Sequence, residues 1–115
     1  MAVKTASMSA DYAESLKDQY GFEITYFEDS PTMYQAVVGG QVAACFDDTP
    51  IMASNIKATG IGMEIVDGTG NDPAAYGFAI FNADNQELID MFNKGLANIK
   101  ANGTYDEIIA KYLGE

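Results

Sequence analysis

The sequence predicts an α/β domain: a three-layer sandwich in which helices cover a mainly parallel sheet. Two observations carry this. Short apolar runs at 2–3, 22–27, 42–46, 63–66 and 78–81 alternate with segments of helical pattern, the order that a parallel sheet with crossover helices requires. The chain has 115 residues, of which 48% are apolar. That suits a single domain hiding roughly two-thirds of its unfolded surface.

Each element has its own signal. A strand is expected at 2–4. Met8, Tyr12, Leu16 and Tyr20 then recur at helical spacing behind Ser7 or Ser9, either of which can cap the helix. Strand 22–27 follows. Ser30-Pro31 opens a second helix in cap-then-proline order, and Gly39-Gly40 closes it. Beyond strand 42–46, Thr49-Pro50 opens a third helix ending near Gly60. After strand 63–66, the stretch 67–75 holds Gly68, Gly70, Asn71 and Pro73 and reads as a hinge or linker. Strand 78–81 leads to a long helix at 85–101 with a stripe of Leu88, Phe92, Leu96 and Ile99, terminated by Gly103. Thr104, with Glu107 three residues on, makes a capping box for a last helix at 104–113.

Composition narrows the function. There are 17 acidic residues against 6 basic ones, all lysine, for a net charge of -11. Such a surface repels phosphate backbones and anionic lipid, which argues against nucleic acid and membrane surfaces as partners. No histidine is present and Cys45 is the only cysteine. An intrachain disulfide and a Cys/His zinc site are therefore excluded, and no cofactor is implied. Cys45 sits in an apolar run and lacks a histidine base, so it reads as a small core residue rather than a nucleophile. No apolar stretch approaches the roughly twenty residues of a membrane span, and no signal-peptide pattern follows Met1.

Two loops stand where a parallel sheet presents ligands, beyond the carboxyl ends of its strands. The first is 4–9, from strand to helix. Its hydroxyls and first helical N–H groups suit an anion, and a carboxylate better than a triphosphate because the glycines of a phosphate loop are absent. An ordinary capped helix start explains the same residues. The second is Asp47-Asp48, between strand 42–46 and the Thr49-Pro50 helix. Asp48 there is either a helix cap or the acceptor for an ammonium group. Together the loops offer a partner to each pole of a free α-amino acid.

At these residues the sequence resembles the family-3 solute-binding proteins of polar amino-acid ABC importers, the glutamine-binding members above all. Ala-Val-Lys-Thr-Ala-Ser-Met-Ser at 2–9 is similar to the strand-into-loop segment of that family, and Val-Ala-Ala-Cys-Phe-Asp-Asp-Thr-Pro at 42–50 to its aspartate-bearing segment. Tyr-Gly-Phe-Ala-Ile at 76–80 resembles the strand that re-crosses between lobes. Asn-Gly-Thr-Tyr-Asp-Glu-Ile-Ile-Ala-Lys-Tyr-Leu-Gly at 102–114 resembles the C-terminal signature. The resemblance implies one lobe of a type II periplasmic-binding-protein fold, flavodoxin-like in its winding. It implies that Asp48 holds the ligand's ammonium, that Ser7 and the Met8 N–H meet its carboxylate, that Lys4 reaches its side chain and that Asp47 lines the site. It departs from the family at Ala6, where a glycine is usual, and at Met8, where a smaller residue is usual. It also departs in lacking arginine, since the family's carboxylate-clamping arginine lies in the other lobe.

The chain is accordingly expected to be the C-terminal part of such a protein, with half a ligand site. Residues 1–72 would be the body of lobe two. Residues 73–115 would be the re-crossing strand and two helices of lobe one, packed on 1–72 as one domain through strand 76–81. The whole protein would be extracytoplasmic and would deliver a polar amino acid, glutamine above all, to the permease of an ABC transporter. The fragment alone would bind amino acids at millimolar affinity or not at all. The alternative is a structural fragment, monomeric or an exchanged homodimer, that binds nothing measurable. A phosphoacceptor receiver domain fits less well, because its acidic pair should follow the first strand. Enzymatic chemistry is not expected, because the carboxylates have no positioned partner base.

Overall fold

In the computed structural model, residues 1–70 and 76–113 are described. The chain divides between Asn71 and Asp72 into two compact units. The expected hinge at 67–75 therefore falls largely outside the described residues.

The first unit is a small α/β layer structure. Strand β1 (Ala2–Lys4) pairs in parallel with β2 (Thr25–Phe27), in the register Ala2 to Thr25 and Lys4 to Phe27. On the other edge of β1, Ala2 bridges to Cys45, its N–H donating to the Ala44 carbonyl at 2.8 Å and its carbonyl accepting from Phe46 N–H at 3.0 Å. β1 is thus central. Helices α1 (Met8–Tyr20), α2 (Ser30–Val38) and α3 (Thr49–Thr59) follow β1, β2 and segment 44–46 respectively.

Three layers follow from the alternation of β1. Successive strand residues face opposite sides of the sheet. Ala2 packs with Met33, Tyr34 and Met52 of α2 and α3, whereas Val3 packs with Ala10 and Ala13 of α1. All of these are buried. The sheet contact of α1 is made by its alanines, and the ends of the expected Met8–Tyr20 stripe are exposed. Small side chains allow a helix to approach a short sheet closely, and Tyr12 reaches only the flank, edge-on to Phe46 with ring centroids 5.3 Å apart.

Local capping chemistry sets the helix ends. Ser7 Oγ accepts from Ala10 N–H at 3.1 Å, so Ser7 rather than Ser9 is the cap of α1. Asp29, one residue before the expected serine, caps α2 by accepting from Thr32 N–H at 2.8 Å. Gly21 and Gly60 close α1 and α3 at φ 68° and 64°, a left-handed conformation that costs glycine nothing.

From Ala83 onward the second unit is mainly helical among its described residues. A single 3-10 turn (Ala83–Asn85) runs into α4 (Gln86–Ala101), and α5 (Thr104–Leu113) follows. Asn102 Oδ1 accepts from Thr104 N–H at 3.0 Å. Thr104 is already helical, so the expected Thr104–Glu107 box begins one residue too late. Phe78 stacks on Phe92 at 4.4 Å, and Lys100 lies over the Tyr105 ring at 5.1 Å.

Three expected strands are corrected, and a fourth, 22–27, is shortened to Thr25–Phe27. Segment 42–46 contributes one bridge, at Cys45, and neither 63–66 nor 76–81 is a strand. A strand exists only by pairing. Segment 42–46 meets β1 at Ala2 alone, and the described part of the second unit holds no sheet for 76–81 to join.

Candidate functional site

The parallel register brings three chain reversals to one end of the sheet. β1 ends at Lys4 and β2 at its register partner Phe27, while the Ala2–Cys45 bridge extrapolates to put Asp47 level with Lys4. Neighbouring strands lie about 4.8 Å apart. The starts of α1, α2 and α3, at Ser7, Asp29 and Asp48, therefore line a single edge. Lys4, Ser7, Met8, Asp47 and Asp48 all fall on it.

The loop 4–8 is tied down from both sides. Thr5 N–H donates to the Phe27 carbonyl at 2.8 Å, and Ser7 Oγ donates to the Lys4 carbonyl at 2.7 Å while accepting from Ala10 N–H. The Ser7 hydroxyl is thereby committed to its own helix start. The first N–H groups of α1, those of Met8 and Ser9, have no acceptor inside the helix and point outward, as a carboxylate needs. The Met8 side chain is 64% exposed. Ala6 has φ 53°, left-handed backbone in a residue with a Cβ. That conformation costs a non-glycine residue about 1 kcal/mol. The loop geometry normal for glycine is thus retained with alanine in place.

The two neighbouring aspartates are used differently. Asp47 is half-buried and turned inward: Oδ2 accepts from Tyr34 OH at 2.7 Å and Oδ1 from Asp48 N–H at 2.9 Å. Tyr34 is 1% exposed, and burial, reinforced by the Asp47 hydrogen bond and charge, pushes its phenol well above the usual tyrosine range. Asp48 occupies the cap position of α3, yet its side chain makes no capping hydrogen bond, and it is exposed. Its carbonyl accepts from Met52 N–H at 3.0 Å, so the backbone role of a cap is filled while the carboxylate stays uncommitted. Residue type alone does not separate two adjacent aspartates; in the structure Tyr34, thirteen positions before Asp47, does so.

A cavity of about 480 Å3 is lined by residues 43–47 and 62–66 together with Val37 and Met52. Of the site candidates only Asp47 reaches it. Its apolar walls suit chain packing better than a zwitterion. Burial, then the Asp47 charge, pushes the Cys45 thiol up to about 11, which keeps it protonated and unreactive. Among the described residues no cluster of metal-ligating side chains occurs, and no helix is long and apolar enough to cross a membrane.

The chain is 35% identical over 81 residues to an arginine-binding periplasmic protein of Mannheimia haemolytica, a match covering 68% of this chain and 34% of the relative. The second substrate-binding domain of Lactococcus lactis GlnP, solved in its open conformation, superimposes with a TM-score of 0.70 at 38% identity, over 99% of this chain and 49% of that one. A second substrate-binding domain from Streptococcus pneumoniae, ascribed to an amino acid ABC transporter, gives 0.71 at 34% identity, over 97% of this chain and 50% of that one. The chain thus spans about a third of the curated relative and about half of each solved domain. Residues 4–115 match the bacterial extracellular solute-binding proteins, family 3, and the chain belongs to that family.

Proposed function

We propose that the chain supplies one half of the ligand site of an extracytoplasmic amino-acid-binding protein that delivers glutamine to an ABC importer. On this reading residues 1–72 are the body of one lobe, and residues 73–115 are elements of the other. Asp48 accepts the ligand's ammonium, the Met8 N–H beside Ser7 meets its carboxylate, and Lys4 stands near its side-chain end. The observation that carries this is the Asp48 carboxylate, placed at a helix start and making no cap. Charge-assisted hydrogen bonds are roughly twice as strong as neutral ones, so an uncommitted carboxylate on this edge suits an ammonium. Lys4 favours glutamine over the ligand named for the Mannheimia relative. A lysine beside a guanidinium is a like-charge contact, costing several kcal/mol, whereas it can donate to an amide oxygen.

Calorimetry tests the reading. The chain alone should bind glutamine at millimolar affinity or not at all, because no arginine is present to clamp the carboxylate. With the complementary lobe supplied, glutamine should bind more tightly than arginine. Asp48→Ala should then weaken binding on the order of thirtyfold or more, since truncating one member of a desolvated charge pair costs about 2–5 kcal/mol. An unchanged dissociation constant refutes the assignment.

A second reading is favoured by the exposed apolar faces of α4 and α5, among them Leu88, Phe92, Ile108 and Ile109. It makes the chain a structural fragment that associates with a second copy and binds no amino acid. Light scattering showing a dimer, together with no heat on glutamine addition to either assembly, would favour it.

A further inference from the structure

We propose that Tyr34 is a positioning residue: its buried hydroxyl anchors Asp47, and Asp47 holds the Asp48 backbone so that the Asp48 carboxylate stays available to the ligand. The inference rests on the reading of Asp48 as the ammonium acceptor and adds a residue that touches no ligand.

The chain of contacts is short. Tyr34 lies on α2, packed with Ala2, Met33 and Met52, and is 1% exposed. A phenylalanine there would bury the same ring without the need to satisfy a hydroxyl. The hydroxyl finds Asp47 Oδ2 at 2.7 Å, and the other oxygen of the same carboxylate takes Asp48 N–H at 2.9 Å. Asp47 thus bridges a buried side chain to the main chain of the next residue. Two consequences follow. The Asp47 charge is turned inward and satisfied, so it does not compete with Asp48 for the ammonium. The Asp48 main chain is fixed by a neighbour's carboxylate, so its own side chain need not fold back over α3 to order the turn. At most helix starts the cap residue's side chain does that ordering. Here the task has moved one residue back, anchored in the core.

The test is amide hydrogen exchange by NMR on the whole chain, without ligand. In Asp47→Ala the Asp48 N–H should exchange about tenfold faster, as expected for the loss of a hydrogen bond to a charged acceptor. Tyr34→Phe should move it the same way by several-fold, while amides elsewhere in α2 and in α1 change by less than about twofold. A merely structural role for the hydroxyl would instead raise exchange at all core amides together. Asp47→Asn, which keeps a carbonyl acceptor, should fall between wild type and Asp47→Ala. Unchanged Asp48 exchange in Tyr34→Phe overturns the proposal, as does a uniform increase across the core. Because no ligand is involved, that failure is distinct from failure of the ammonium assignment, which shows only as unchanged affinity in Asp48→Ala.

Discussion

The two units of this chain use apolar residues in opposite ways. In the first, eight side chains between Ala2 and Met52 are buried, although several belong to elements with modest helical patterning. In the second, α4 and α5 carry the cleaner amphipathic stripes, and neither buries a residue. Leu88, Phe92, Ile108 and Tyr112 are all substantially exposed, and Phe81 is completely so. An apolar stripe states that a face wants cover. It does not state what supplies it. In the first unit the cover is β1, whose Ala2 and Val3 face different helices and so serve two clusters at once.

That contrast can be broken by truncating one side chain in each unit. Tyr34→Ala removes a buried aromatic and should cost about 3–5 kcal/mol, a large share of the 5–15 kcal/mol available to a domain. Met91→Ser, in the second unit, should stay within about 0.5 kcal/mol, as exposed positions do. Urea unfolding followed by circular dichroism measures both. A comparable loss for Met91→Ser would show that α4 is covered in solution.

A smaller effect sharpens the comparison within the site edge. Ser7→Ala should cost about 1 kcal/mol, because the hydroxyl caps α1. Asp48→Ala should change thermal stability by less than about 0.5 kcal/mol, because its side chain caps nothing. Equal losses would mean that both are structural. Ala6→Gly is the smallest change. It relieves a left-handed alanine at φ 53° but frees the unfolded chain, for a net gain of up to about 1 kcal/mol.

The two largest pKa shifts both act on the alkaline side. Tyr34 and Cys45 both have folded values raised above their unfolded ones. Each therefore contributes stability that is complete below the unfolded value and lost as pH rises. Decline should begin near pH 9 from Cys45 and steepen above about 10 as Tyr34 joins in. Cys45→Ala should remove the first part of the loss, and Tyr34→Phe the second. Melting curves between pH 7 and 11 check the order.

The helices were legible because their boundaries are written in adjacent residues. Thr49-Pro50 and Gly60 bracket α3, and Gly103 separates α4 from α5. The three overestimated strands were not, because 42–46, 63–66 and 76–81 have strand-like composition but pairing depends on a partner elsewhere in the chain. The candidate site divides in the same way. That 4–9 and 47–50 are strand-to-helix loops could be read locally. Which aspartate turns inward could not, because the answer lies with a tyrosine one crossover away. The spacing of Met8, Tyr12, Leu16 and Tyr20 marked α1 from end to end, but the buried face went to Ala10 and Ala13, which allow close approach to a three-residue strand.

The central position of β1 also has a mechanical consequence. The Met1 carbonyl accepts from Thr25 N–H, Ala2 bonds to Ala44 and Phe46, and Thr5 N–H holds the Phe27 carbonyl. All of these bonds run across the strand axis. A force applied at the amino terminus along that axis loads them together, in shear, rather than opening them one after another like a zip. The unit should therefore resist pulling from that end far better than its three-residue strand suggests. Once β1 slips, both apolar clusters lose their shared wall in the same event, and the unit should rupture in a single step.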